Sequence, residues 1–217
     1  MTHHLEADSI RLQFGDRTVL SGAWLKCSTG GITGLLGRNG QGKSCLLKII
    51  HGSLDAEKSV RIDGSAQFAA FRRPDLLQYG PQFHFVPGHL SVARVLDDFG
   101  LPYAAFAERF PEFAGRERHR VRQLSGGERR LLELYGLVMS PSLFALLDEP
   151  FTHLNPLQIE KVKELLVERK AHKGFLVTDH LYRHVIDICD PLYLLVDGRT
   201  HLVKQLEDIE TMGYARL

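Results

Sequence analysis

The sequence predicts an α/β domain built on a mostly parallel sheet, with an N-terminal antiparallel β portion and a short inserted helical subdomain. Three observations predict it. A short apolar strand, Ile32–Leu36, enters a glycine-rich turn and then an apolar-periodic segment at residues 43–50 that Gly52 stops. Three further short apolar runs, residues 143–147, Gly174–Thr178 and Leu192–Val196, have the length of buried strands, with helical patterns between them. Asp197-Gly198 then turns the last run into residues 200–203, a two-residue hairpin that ends the sheet in an antiparallel edge.

At the N-terminal end, residues 9–14 and 19–25 form a hairpin turned at Gly15-Asp16. The centre differs in texture: eight of the twelve Phe lie between Phe68 and Phe113, and residues 101–122 are helix-like and rich in Arg and Glu. Residues 83–122 therefore read as a helical insertion into a core made of residues 1–82 and 123–217. Farther on, Ser125 with Glu128 three residues later is a capping box opening a helix over residues 129–139, while Asn155, Pro156 and Gln158 supply N-cap, first position and N3 of the next. Leu157, Ile159, Val162, Leu165 and Leu166 are its expected buried face.

The chain has 217 residues, 44% of them apolar and 24% charged, with 27 basic and 26 acidic side chains for a net charge of +1. A chain of this length buries a core without staples, and near-neutral charge gives no footprint for nucleic acid, so none is expected as a partner. Cys27, Cys45 and Cys189 have neither metal nor C-x-x-C spacing and read as reduced thiols. No apolar run is long enough to cross a bilayer, and the N-terminus has no leader-like apolar region.

Gly37-Arg38-Asn39-Gly40-Gln41-Gly42-Lys43-Ser44 has the spacing G-x-x-x-x-G-K-[ST] between strand and helix. There, backbone N–H groups and the helix N-terminus converge on a phosphate, Lys43 reaches the β- and γ-phosphates, and the Ser44 hydroxyl suits Mg²⁺. Cys45 follows where a hydroxyl would donate more strongly than a thiol. Asp148 and Glu149 close an apolar strand at its C-terminal end, where open α/β sheets bind ligands. Asp148 suits an indirect hold on Mg²⁺, and Glu149 a proton-accepting role toward an attacking water.

With Leu124-Ser125-Gly126-Gly127-Glu128 added, the order of motifs resembles the ATP-binding cassette (ABC) ATPases over essentially the whole chain. The resemblance implies a P-loop NTPase fold and an ATP hydrolase that binds ATP and Mg²⁺. It implies that Ser125, Gly126 and Gly127 complete the nucleotide site of an opposite subunit, in a head-to-tail homodimer or a heterodimer with a homologue. It further implies that Gln82, in Tyr79-Gly80-Pro81-Gln82, touches Mg²⁺ or the attacking water, that His180 bonds the γ-phosphate, and that Phe14 stacks on adenine unless it packs in the core. Asp179, just before His180, is a candidate N-cap. Transmembrane permease subunits would dock near Gln82 and the insertion, placing the chain in the cytoplasm, peripheral on the inner face of the cell membrane. Thr178-Asp179-His180, Arg183 and Cys189-Asp190 bring it nearest to the lipopolysaccharide and lipid-transport members. The alternative is a soluble ABC-type ATPase without a membrane partner, similar to that of iron–sulfur assembly.

The sequence departs from the family pattern in places. Asn155 replaces the usual Asp of the loop that couples the two sites, His153 replaces a small residue, and the insertion is shorter by roughly ten residues. Cys45, His153 and Asn155 together raise a cassette that binds but barely hydrolyses, against which Lys43, Asp148, Glu149 and His180 stand intact. Phe83, Phe85, Phe99, Phe106, Phe110 and Phe113 either line a docking groove or fill the insertion's core.

Overall fold

A computed structural model describes residues 1–214. In chain order the elements are β1 (His4–Phe14), β2 (Arg17–Ser28), β3 (Ile32–Leu36), α1 (Lys43–His51), β4 (Glu57–Ile62), β5 (Ser65–Ala66) and β6 (Leu77–Gly80). There follow α2 (Val92–Asp98), α3 (Tyr103–Arg109), α4 (Gly126–Met139), β7 (Phe144–Asp148), α5 (Pro156–Arg169), β8 (Gly174–Thr178), α6 (Tyr182–Ile188), β9 (Leu192–Val196), β10 (Arg199–Val203) and α7 (Glu207–Thr211).

Strands β2-β1-β4-β5 form an antiparallel sheet, and β10-β9-β3-β8-β7-β6 a second that is parallel from β9 to β6. The antiparallel edge strand β10 is turned back at Asp197 (φ 47°) and Gly198 (φ 75°), as an Asp-Gly turn of this kind requires. Side chains alternate across the parallel sheet. Ala145 and Leu147, Phe175 and Val177, Leu192 and Leu194 join one core with α2 to α6, while Phe144, Leu146, Leu176, Tyr193 and Leu195 join another with α1 and the antiparallel sheet.

Between β6 and α4 the helices are short, and Phe106, Phe110 and Phe113 are fully buried. The Phe106 ring packs tilted against Phe113 and against Tyr135 on α4, with centroids 4.6 and 4.9 Å away, so the insertion shares the core of the main sheet. Phe85 and Phe99 pack partly buried against it, whereas Phe83 is 66% exposed. Filling the core therefore accounts for most of these rings.

The structure changes several expectations. Strands β1 and β2 are longer than read, and β4, β5 and β6 are additions; β6 escapes notice because Gln78 and Tyr79 break its apolar run. Leu157 is 68% exposed: at the second position of α5 it faces away from the core that Ile159, Val162, Leu165 and Leu166 enter. Asp179 is not an N-cap, since that position falls on Leu181; it is fully buried and accepts from the Phe151 and Leu181 N–H groups, each at 2.9 Å.

Both capping boxes form. Ser125 Oγ accepts from Glu128 N and Glu128 Oε2 from Ser125 N; Asn155 and Gln158 do the same for α5. At the other end of α4, buried Lys173 donates to Leu137 O at 2.7 Å and Ser140 Oγ at 3.1 Å, and burial pushes its pKa down to about 7.

Two predictions follow from this packing. Phe106→Ala is expected to cost about 3–5 kcal/mol in urea unfolding, against less than about 0.5 kcal/mol for exposed Phe83→Ala. Because Lys173 titrates lower folded than unfolded, the folded state holds fewer protons between about 7 and its unfolded value, and stability rises with pH across that window. Lys173→Met should remove that rise, read as the difference between wild-type and variant unfolding curves at pH 7 and 10.

Candidate functional site

The functional loops all leave the C-terminal ends of parallel strands. The phosphate loop follows β3, Gln82 follows β6, Glu149 follows β7, and Asp179 and His180 follow β8. Register fixes their proximity: Gly80 lies beside Leu147 and Asp148 beside Thr178.

Gly42 caps α1 with φ 102°, and a Cβ there would meet Val19 Cγ1 at 2.8 Å, so both conformation and space demand glycine. Lys43 is 7% exposed and donates to Gly37 O at 2.6 Å and Arg38 O at 3.3 Å across its own loop. Burial lowers its pKa, while the carboxylates of Glu149, Asp148 and Asp179 pull the other way. Ser44 Oγ donates to Asp148 Oδ1 at 3.0 Å, and Tyr79 Oη to Asp148 Oδ2 at 2.9 Å. Burial raises the Asp148 pKa, and these two hydrogen bonds oppose it.

Glu149 adopts φ 48°, unusual for a side chain with a Cβ, and its N–H donates to Thr178 O at 2.7 Å. Its carboxylate oxygen Oε2 accepts from Gln82 Nε2 at 2.6 Å and Thr152 Oγ1 at 3.4 Å, and lies 3.3 Å from His180 Nδ1. The other oxygen, Oε1, takes none of these bonds.

A cleft of about 730 Å³ is lined by Phe14, Asn39, Gly40, Gly42, Lys43, Ser44, Cys45, Gln82, Glu149 and His180, with Arg17 and Val19 as additions. Phe14 is 55% exposed at this cleft, so core packing does not claim it. Asp148 sits behind Ser44. Gln82, expected at Mg²⁺ or the attacking water, bonds Glu149 here, and the expected metal residues Ser44 and Asp148 touch each other. Their hard oxygen donors fit Mg²⁺.

Other expected residues lie outside this cleft. Arg38 points its guanidinium to Gly213 O, and with Gln41 it lines a separate hollow under Met212 and Tyr214. Its sequence position alone could not show that. Ser125, Gly126 and Gly127 do not meet the phosphate loop of their own chain. Gly126 faces His84 and His153, whose rings stack at 5.5 Å, and Gly127 abuts His153 O and Gln158.

The profile of the ABC transporter family matches residues 20–152. The chain belongs to that family. Full-length relatives agree. The lipopolysaccharide export system ATP-binding protein LptB of Acidithiobacillus ferridurans is 30% identical over 92% of this chain and 89% of its own length. The aliphatic sulfonates import ATP-binding protein SsuB 2 of Nocardia farcinica is 37% identical over 88% of this chain and 79% of its own. In fold, the chain is similar to an ATP-binding subunit of an ABC transporter, with TM-score 0.78 and 23% identity over 97% of this chain and 93% of that one. It is similar also to a bacterial Atm1-family ABC exporter with ATP bound, with TM-score 0.83 and 19% identity over 98% of this chain and 41% of that one. As an ABC cassette the chain is an ATP-binding, ATP-hydrolysing subunit with a P-loop NTPase fold.

Sequence reasoning missed Tyr79, Thr152 and Arg130 as contacts of the acidic strand end. Tyr79 was within reach, because it stands beside the Gln82 loop; Arg130 follows Glu128 and Arg129 in a short charged run that resembles a solvated face.

Cysteine chemistry tests the cleft. Cys27 is fully buried with its pKa pushed up to about 12, burial likewise raises Cys189, and Cys45 lines the cleft. A maleimide should modify Cys45 first, and saturating ATP should slow that reaction at least about tenfold if nucleotide covers the thiol. Equal rates with and without ATP would place the nucleotide elsewhere.

Proposed function

We propose that this cassette hydrolyses ATP between two subunits and thereby drives separate transmembrane subunits of a transporter. The observation that carries the reading is the convergence of Gln82 and His180 on Glu149 Oε2, in the cleft that Lys43 and Ser44 line.

In this reading Phe14 stacks on adenine, and the main chain of residues 37–44 wraps the phosphates, with Lys43 turning from its own carbonyls to the β- and γ-phosphates. Ser44, with Asp148 holding indirectly from behind it, would hold Mg²⁺, and Gln82 would touch the ion or the attacking water; the ion, when bound, would offset phosphate charge. Glu149 accepts the proton of a water whose oxygen attacks the γ-phosphorus, the β–γ bridging bond breaks, and ADP leaves with inorganic phosphate. His180 donates to the γ-phosphate. Gln82, which bonds Glu149 and directly precedes the insertion in the chain, relates hydrolysis to a docked partner.

Ser125, Gly126 and Gly127 serve the site of the opposite copy. Their separation from the phosphate loop of their own chain, together with the two glycines that open α4 after Ser125, supports a head-to-tail dimer. Among the described residues no helix is long and apolar enough to cross a membrane, so membrane passage belongs to partner subunits. Residues 83–122 are the docking insertion, residues 1–82 and 123–217 the ATP-binding core, and the complex lies on the cytoplasmic side of the inner membrane. The relatives named above are an export and an import subunit, which favours this reading over a soluble ATPase.

Glu149→Gln is expected to lower phosphate release at least about a hundredfold while keeping ATP binding, and to sediment as a dimer with ATP. Phosphate release equal to wild type would remove Glu149 from the reaction, and a monomer with ATP would remove the composite site.

A further inference from the structure

Arg130 is among the largest fully buried side chains, 1% exposed on α4, and the hydrolytic scheme gives it no part. Its guanidinium spends its donors on main-chain carbonyls. Nη1 donates to Pro81 O at 2.8 Å, Nη2 to Asp148 O at 3.1 Å and Glu149 O at 2.9 Å, and Nε to Pro150 O at 3.3 Å.

These acceptors lie just where the sheet stops supplying partners. Strand β6 ends at Gly80, opposite Leu147, so the chain beyond Asp148 has no β6 neighbour to donate to its carbonyls. The guanidinium takes that place, and it does so beside Glu149, whose positive φ is costly unless its surroundings hold it.

The same turn of α4 also grips the other loop. Glu133, fully buried and 4.0 Å from Arg130 Nη1, accepts from Phe85 N at 3.1 Å and Val86 N at 3.2 Å through Oε1, and its Oε2 lies 2.9 Å from His84 Nδ1. Arg129 donates to Val86 O. One helical turn therefore holds residues 81–86 and 148–150 together, five residues after Ser125. An apolar side chain would fill the same space without burying a charge, so packing alone does not call for arginine.

We infer that Arg130 is a positioning residue for hydrolysis: it fixes the main chain of Glu149 against that of Pro81, so that Gln82 and Glu149 meet, and it makes that meeting follow the position of the signature turn. The inference rests on the reading of Glu149 as the proton acceptor. Lysine keeps the charge but presents one nitrogen where arginine presents a planar fork, and it cannot span carbonyls on two loops.

The test uses full-length Arg130→Lys and Arg130→Gln, with thermal unfolding, affinity for a fluorescent ATP analogue, and phosphate release as a function of ATP. Folded variants should bind the analogue within about twofold of wild type and lose about 10- to 100-fold in kcat, since a misplaced reacting group costs rate without costing phosphate contacts. Amide exchange should quicken at residues 82–86 and 149–152 and not at residues 37–45. A folded variant with wild-type kcat would overturn the inference, as would parallel losses in affinity and kcat. Failure of both variants to fold would assign Arg130 to the core alone and overturn it too. Glu149→Gln, run alongside, separates the two claims: if it stays active, the assignment of Glu149 fails and takes this inference with it. If it is inactive while Arg130→Lys matches wild type, only the inference fails.

Discussion

The site depends on one constraint, the parallel register of β3, β8, β7 and β6. Parallel strands deliver their C-terminal ends to the same edge, and four chain segments far apart in sequence arrive there within hydrogen-bond reach. Everything chemical is a consequence of where each strand stops. Ser44 meets Asp148 because β3 and β7 flank β8, and Gln82 meets Glu149 because β6 ends one residue short of β7 in the ladder.

That edge concentrates charge in poor solvent. Lys43, Asp148, Asp179, Arg130 and Glu133 are all buried or nearly so, and desolvation shifts the pKa of Lys43, Asp148, Asp179 and Arg130 toward the neutral form. Each is held by hydrogen bonds that oppose that shift or by neighbours of opposite sign. The arrangement is stable as a set: removing one partner leaves another ion buried and uncompensated, which costs more than the pair contributes.

Much of this was legible in the sequence, for reasons that differ by element. Strands β3, β8 and β9 are continuous apolar runs between breakers, and α5 announces itself through Asn155, Pro156 and Gln158. The phosphate-loop residues lining the cleft came from a motif whose spacing is itself geometric, Phe14, Gln82 and His180 came from the family resemblance, and Arg17 and Val19 escaped notice. What escaped notice was either too short and too polar, as with β6, or depended on long-range packing. Arg130 looks like a second surface arginine beside Arg129 until the strand end is in place, and Asp179 looks like a cap until Phe151 arrives to share it. The exposure of Leu157 shows the converse, an apolar residue at helix spacing that the described residues leave uncovered.

The parallel sheet separates two cores, one with the antiparallel strands and α1, the other with the inserted helices, α4 and α5. It acts as a partition wall. Side chains on its two faces share backbone but few atoms, so a change of volume on one side is felt little on the other. Packing around α1 can stay unaltered while side chains on the face toward the insertion change. Such a wall lets the two cores be altered one at a time.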